Sequence, residues 1–372
     1  MNLRTLALTI PALFLCGAAR AATFCVATAD ALTAALSAAQ QDTATTDEIR
    51  IHTGHYSAPA GGWHVDVAQR GIVILGGFTD DGCTVESQDA SLTALDGHQA
   101  VRPLTIDTSF VFEQNLPAQI IVVRGLTFEN GLGDRAGGLK VSDAGPIYPG
   151  TILIERNIFR DNVGTAYQQD NSAGALLAAT DGPDFSGNAF LVVRGNLFTG
   201  NRAPDGSAAQ LFSNNSINVV NNTVSGNQSF DLELAKRTAF ATFTLSTLTY
   251  SNNLFWANNP DGLDGSFDIR ADNPFSANRP ASLFNNDLQA VTGTAGVDSG
   301  NRSVEPDFAD AAAGNLRLAA TSALIDAGTD TPAGGLADAD LDGAPRTRGA
   351  HVDIGAFESG FAADLIFRDG FD

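Results

Sequence analysis

Four stretches of the chain repeat one alternation of apolar and polar positions: Ile152 to Asn162, Leu191 to Asn201, Ile217 to Asn227 and Leu248 to Asn258. In each, an alternating apolar run leads into an asparagine (Asn157, Asn196, Asn222, Asn253), and an apolar residue follows two positions later (Phe159, Phe198, Val224, Phe255). A second asparagine stands five positions after the first (Asn162, Asn201, Asn227, Asn258). Period-two alternation marks strands, so each stretch is a strand, a bend, a short strand and a second bend. Ile121 to Asn130 fits with Leu126 in the first asparagine place, and Ser282 to Leu288, with Asn286, is a weaker copy.

The first asparagines are 39, 26, 31 and 33 residues apart. Variable spacing around a fixed template describes stacked coils of a solenoid carrying insertions, with parallel strands about 4.8 Å apart along the axis. Phe128, Phe159, Phe198, Val224 and Phe255 are expected to form one inward file. Asparagine tolerates left-handed backbone angles, and its amide can bond neighbouring backbone or the asparagine one coil away, so the asparagine files read as structural. Ile49 to Tyr56, Gly71 to Phe78 and Ser91 to Gly97 read as earlier coils closed by glycine turns. Asp30 to Gln40 places Leu32, Ala35, Leu36 and Ala39 on one helical face, as suits a cap over the open apolar end.

The first residues belong to a different reading. Arg4 precedes an apolar run, Leu6 to Leu15, and Ala19-Arg20-Ala21 is a small-x-small cleavage signal, so residues 1–21 read as a signal peptide. No run of about 20 apolar residues follows, which argues against a membrane-spanning helix. Two cysteines then remain, Cys25 and Cys83, and an even count in an exported chain favours a disulfide. With the signal segment removed, 19 basic residues face 42 acidic ones. Such a field opposes nucleic acid and anionic membrane, and leaves neutral glycans, cationic surfaces and divalent cations open.

The helix, the Ile-x-Ile-x-x-Gly-x-Tyr segment at Ile49 to Tyr56, Gly76-Gly77-Phe78 and the Asn-x-Phe coils together resemble the right-handed parallel β-helix repeat family of exported bacterial proteins. Ser322 to Gly328, Asp340 to Arg346 and His351 to Glu358 resemble the closing segment of many of these, including the choice-of-anchor and polymorphic outer-membrane-like proteins. The resemblance implies an all-β, single-stranded right-handed parallel β-helix with an N-terminal capping helix. The expected division is a signal peptide over 1–21, a cap over 22–48, a parallel β-helix over 49–358 and a tail over 359–372, for which sorting and edge covering are equal readings. Activity is not implied, because the family contains pectate lyases, other polysaccharide lyases, glycoside hydrolases and adhesins.

Chemistry is harder to find. The Asn-Thr-Asp, Asp-Asp and Gly-His-Gly motifs of polygalacturonase-type hydrolases are absent, and no pectate-lyase arginine motif stands out. Insertions at 131–150 and 163–190 lengthen two successive coils, where loops on a rigid solenoid can wall a groove. They carry Asp134, Arg135, Lys140, Tyr148, Tyr167 and Asp170, a set suited to gripping sugar through aromatic faces and charge. Asp338, Asp340 and Asp342 before Gly343 match the front of a calcium loop, but the twelfth position is Gly349 and a turn held by an Arg346–Asp353 salt bridge competes. Ca²⁺ is the one cofactor expected, if any. The five histidines, His52, His55, His64, His98 and His351, are scattered without metal spacing and read as turn or surface residues. The expectation is a secreted, outer-surface or periplasmic protein that binds a polysaccharide or other extracellular polymer, with a lyase or hydrolase as the alternative.

Overall fold

The computed structural model describes residues 21–41, 46–67, 70–108, 119–141, 150–165, 172–180, 189–230, 238–258, 267–272 and 279–360. Its body is built from three long parallel sheets visited in turn by successive coils. The first sheet has ten strands, from Thr23–Val26 through Gly150–Glu155 to Val297–Ser299. The second has seven short strands, from Gly54–Ser57 to Leu254–Trp256, and the third has eight, from Trp63–Asp66 to Val291–Thr292. The ladders of all three sheets are parallel throughout, so the chain is the expected parallel β-helix, right-handed as parallel crossovers are.

Register explains the core. Along the first sheet Ile74, Val123, Ile154, Val193, Val219 and Tyr250 lie opposite one another on successive coils, all buried. Along the second, Tyr56, Leu95, Phe128, Phe159, Phe198, Val224 and Phe255 form the inward file that the repeat implies. The rings of Phe128, Phe159 and Phe198 stack with centroids 5.1 and 4.7 Å apart, as the coil repeat dictates.

Both asparagine files are hydrogen-bond ladders, buried except at their last members, Asn301 and Asn258. Each first-bend amide donates to the next, from Asn157 to Asn196, Asn222, Asn253, Asn286 and Asn301. The second file runs Asn162, Asn201, Asn227 and Asn258. The left-handed angle falls one residue earlier than the ladder asparagine. Gly125, Arg156, Gly195, Asn221, Asn252 and Asn285 have φ between 51° and 72°. Bending and amide bonding are thus divided between two adjacent residues. Asn130 belongs to the bending position of its coil, because Glu129 pairs with Arg160 and Asn130 therefore stands beside Asp161, not Asn162.

The helix Ala29–Gln41 buries Leu32, Ala35, Leu36 and Ala39 at the N-terminal end, as its pattern requires. Trp63 fixes it there, its indole N–H donating to Thr33 Oγ1 at 3.0 Å. The Cys25–Cys83 disulfide is formed, with Cα atoms 5.6 Å apart, and ties the first strand, Thr23–Val26, to the turn after the strand Ile72–Phe78.

The last strand of the parallel sheets is Val297–Ser299, a parallel bridge follows at Arg302, and the chain up to residue 360 then runs back along the outer face of the second sheet. Leu316, Leu341, Ala356 and Phe357 pack on Leu197 and reach Ala90, while Leu318, Leu324, Ile325 and Ile354 cover Leu254. Hydrogen bonds from Ala356 N to Thr223 Oγ1 and from Asn221 Nδ2 to the Asp353 carbonyl fasten this strap. Arg346 meets Asp353 only through that residue's backbone carbonyl; its ion pair is with Glu358, at 3.0 Å. The expected Arg346–Asp353 salt bridge is replaced because the Asp353 carboxylate already accepts from the N–H groups of Asp326 and Ser359.

Candidate functional site

The third sheet brings together part of the expected sugar-binding set. Within it, His64, Thr105 and Lys140 lie opposite one another on three successive coils, on the outward side, because their neighbours Trp63, Leu104 and Leu139 point into the core. Asp107, on the middle strand, holds both flanking side chains: Lys140 Nζ lies 3.3 Å from Oδ1 and His64 Nε2 lies 2.9 Å from Oδ2. Arg102 extends the cluster. Its guanidinium donates to Thr105 Oγ1 at 3.1 Å and pairs with Asp134 Oδ1 at 3.0 Å. Asp134 is largely exposed, whereas Lys140, Arg102 and Asp107 are partly sunk into the surface and therefore held in place.

Arg135 has φ 64°, the left-handed bend that turns the chain toward the third sheet, and its carbonyl accepts from Ala173 N–H on the next coil. Tyr148, Tyr167 and Asp170 lie outside the described residues. The outward file that starts at Asp66 and Asp107 continues two strands further as Ala179, Phe212 and Phe243. Phe212 and Phe243 are half-buried and stack with centroids 4.8 Å apart. One face of the third sheet therefore carries fixed charge toward one end and aromatic planes toward the other.

Among the other expected residues, Asp340 is buried and gives both carboxylate oxygens to backbone N–H groups, those of Asp342 and Ala344 on one side and of Glu358 on the other. Asp342 is clamped by Arg317, whose Nε lies 2.6 Å from Oδ2. Asp338 is exposed, and its carbonyl accepts from Arg346 N–H. These three aspartates close the turn of the strap that rests on the second sheet.

The histidines are less scattered than the sequence suggests. His55 and His98 meet at Asp96, and His55 also reaches Glu129. These residues lie on three successive coils, so a separation of 74 residues between His55 and Glu129 collapses to a hydrogen bond. No short-range motif could have announced this; the signal available was that His55 and Glu129 both flank positions of the same inward file, Tyr56 and Phe128. His52 lies against the disulfide, 3.4 Å from Cys25 Sγ, and His351 pairs with Asp330.

No helix among the described residues is long and apolar enough to cross a membrane. No family model matches the chain. No curated protein matches it either. Among solved structures it is similar to the crystal structure of pectate lyase Pel9A, at 15% identity and a TM-score of 0.37, covering 92% of this chain and 97% of that one.

Proposed function

We propose that this is an exported protein that binds a polysaccharide along the outer face of the third sheet. The observation that carries the reading is the outward face of that sheet: the Lys140–Asp107–His64 cluster toward one end and the Phe212–Phe243 stack further along. Sugar rings present hydroxyl edges and apolar faces, so charged groups fixed by ion pairs and flat aromatic surfaces are complementary to them. Coils about 4.8 Å apart repeat the contact along a polymer. The acidic balance of the chain favours a neutral glycan over a uronate, and the Cys25–Cys83 bond suits an oxidising compartment. Asp134, which pairs with Arg102 at the charged end, and Arg135 beside it are proposed to contribute to the same surface.

Catalysis is the second reading, and Lys140 beside Asp107 is what favours it, since a lyase needs an amine or guanidine base near carboxylates. Lys140 is committed to its ion pair with Asp107, which makes it a fixed charge before anything else. The test is retention on neutral and acidic polysaccharides, with and without Ca²⁺, alongside assays for unsaturated product and reducing ends. Retention of a neutral polymer without product, weakened roughly tenfold by Lys140→Ala, is expected. Release of product would establish the enzymatic reading, and no retention of any polymer would end the binding one.

A further inference from the structure

The cluster on the second sheet asks for a different ligand. Asp96 and Glu129 lie opposite one another on neighbouring strands, with side chains only 9% and 6% exposed. His55 projects from the strand before, opposite the small Ala94. Its Nε2 stands 2.8 Å from Glu129 Oε1 and 3.4 Å from Asp96 Oδ2. His98 brings Nδ1 to 3.0 Å from that same Asp96 oxygen.

The second oxygens are already occupied. Asp96 Oδ1 accepts from the backbone N–H of His98 at 2.8 Å and from Asn130 Nδ2 at 3.2 Å. Glu129 Oε2 accepts from Arg160 Nε at 2.6 Å. Each carboxylate is thus oriented by one oxygen and presents the other to an imidazole. That is how outer groups hold the ligands of a metal, fixing orientation while leaving one donor atom directed inward.

We propose that His55, His98, Asp96 and Glu129 form a binding site for a divalent transition-metal ion of the zinc class. The donor atoms of His55, Asp96 and Glu129 all lie within 4.8 Å of one another, a span that one ion can bridge with small side-chain movements. Among the described residues the permanently charged partner of the two sunken carboxylates is Arg160, on Glu129, so a cation bound between them is favoured. Imidazole with carboxylate selects zinc and its neighbours, whereas calcium takes oxygen ligands only. Both histidine side chains are about half exposed, so the ion enters from solvent and keeps a position open toward it. Bound there, it ties three successive coils together on a face distinct from the proposed sugar track.

The experiment titrates Zn²⁺, and Co²⁺ as a spectroscopic probe, into the purified, chelator-treated chain under oxidising conditions. One equivalent is expected to bind, with Co²⁺ giving the visible absorption of a nitrogen- and oxygen-ligated site. His55→Ala and Glu129→Gln are each expected to weaken binding at least tenfold, and Arg160→Ala by about ten- to a hundredfold. His64→Ala should leave it unchanged. His55 is exposed, so its variant should melt with the metal-free parent, which separates lost binding from lost folding. No saturable uptake, or uptake of equal affinity in His55→Ala, would overturn the proposal.

Discussion

Asn196 Oδ1 accepts two hydrogen bonds from Asn157, one from its backbone N–H at 2.9 Å and one from its side-chain amide at 3.2 Å. Asn196 Nδ2 in turn reaches the Ile154 carbonyl and Asn222. One buried amide therefore satisfies backbone groups on the coil before it and hands the pattern to the coil after it. Asn196→Ala strands the Asn157 N–H and the Ile154 carbonyl in a dry interior, where each unsatisfied group costs about 1–3 kcal/mol. Urea unfolding should show a loss of at least about 2 kcal/mol, and a near-neutral result would mean that water replaces the amide.

Phe159 is fully buried between Phe128 and Phe198. A rigid stack cannot collapse onto a missing ring, because the strands on either side hold the coil spacing. Phe159→Ala should therefore lie near the upper end of the usual range for such truncations, about 3–5 kcal/mol. A calorimetric melt of the variant beside the parent checks this, and a loss under about 1 kcal/mol would mean that the coil repacks.

The Cys25–Cys83 bond closes a loop of 58 residues at the capped end. On the chain-entropy account it stabilises by about 4 kcal/mol. Melting in the presence of reductant should occur at a clearly lower temperature than without it, and Cys25→Ala with Cys83→Ala should reproduce the reduced value.

Arg346 is buried in the strap, paired with Glu358 and bonded to the carbonyls of Asp353 and Gly355. Removing one partner of a buried pair leaves the other uncompensated, so Arg346→Ala should cost about 3–5 kcal/mol. Limited proteolysis should then cut the strap first, since its departure uncovers Leu197 and Leu254 but leaves the coils paired. Uniform digestion of coils and strap together would contradict this order.

Asp287 lies fully buried near the last coils, where burial raises its carboxyl to about 6 from the ordinary 3.8. The fold favours its protonated form, so its contribution is complete below the unfolded value and is lost as the pH rises through about 6. Asp287→Asn keeps the neutral shape at every pH. Its melting temperature should gain on that of the parent as the pH rises from about 4 to about 7, and a gap independent of pH would assign the effect elsewhere.

Reading the chain alone was enough for the coils, the inward phenylalanine file, both asparagine ladders, the capping helix and the disulfide partners. These follow from local pattern: alternation of two, a bend residue and a fixed offset to the next apolar position, repeated until stacking is the sole way to bury them. The division of labour in four of the first bends was also written there, in the glycine or asparagine that precedes Asn196, Asn222, Asn253 and Asn286, but not in Arg156 before Asn157. Tertiary structure decided what meets across coils and outside them. His55 and Glu129, Asp107 and Lys140, and Arg346 and Glu358 are partners because register, strand length and the returning strap place them so. Insertions of varying length hide that register in the sequence, and outward-facing positions carry no periodic apolar demand that would reveal it. The core of this protein is therefore a local property of its repeats, while its chemistry belongs to distances that only the stacked coils define.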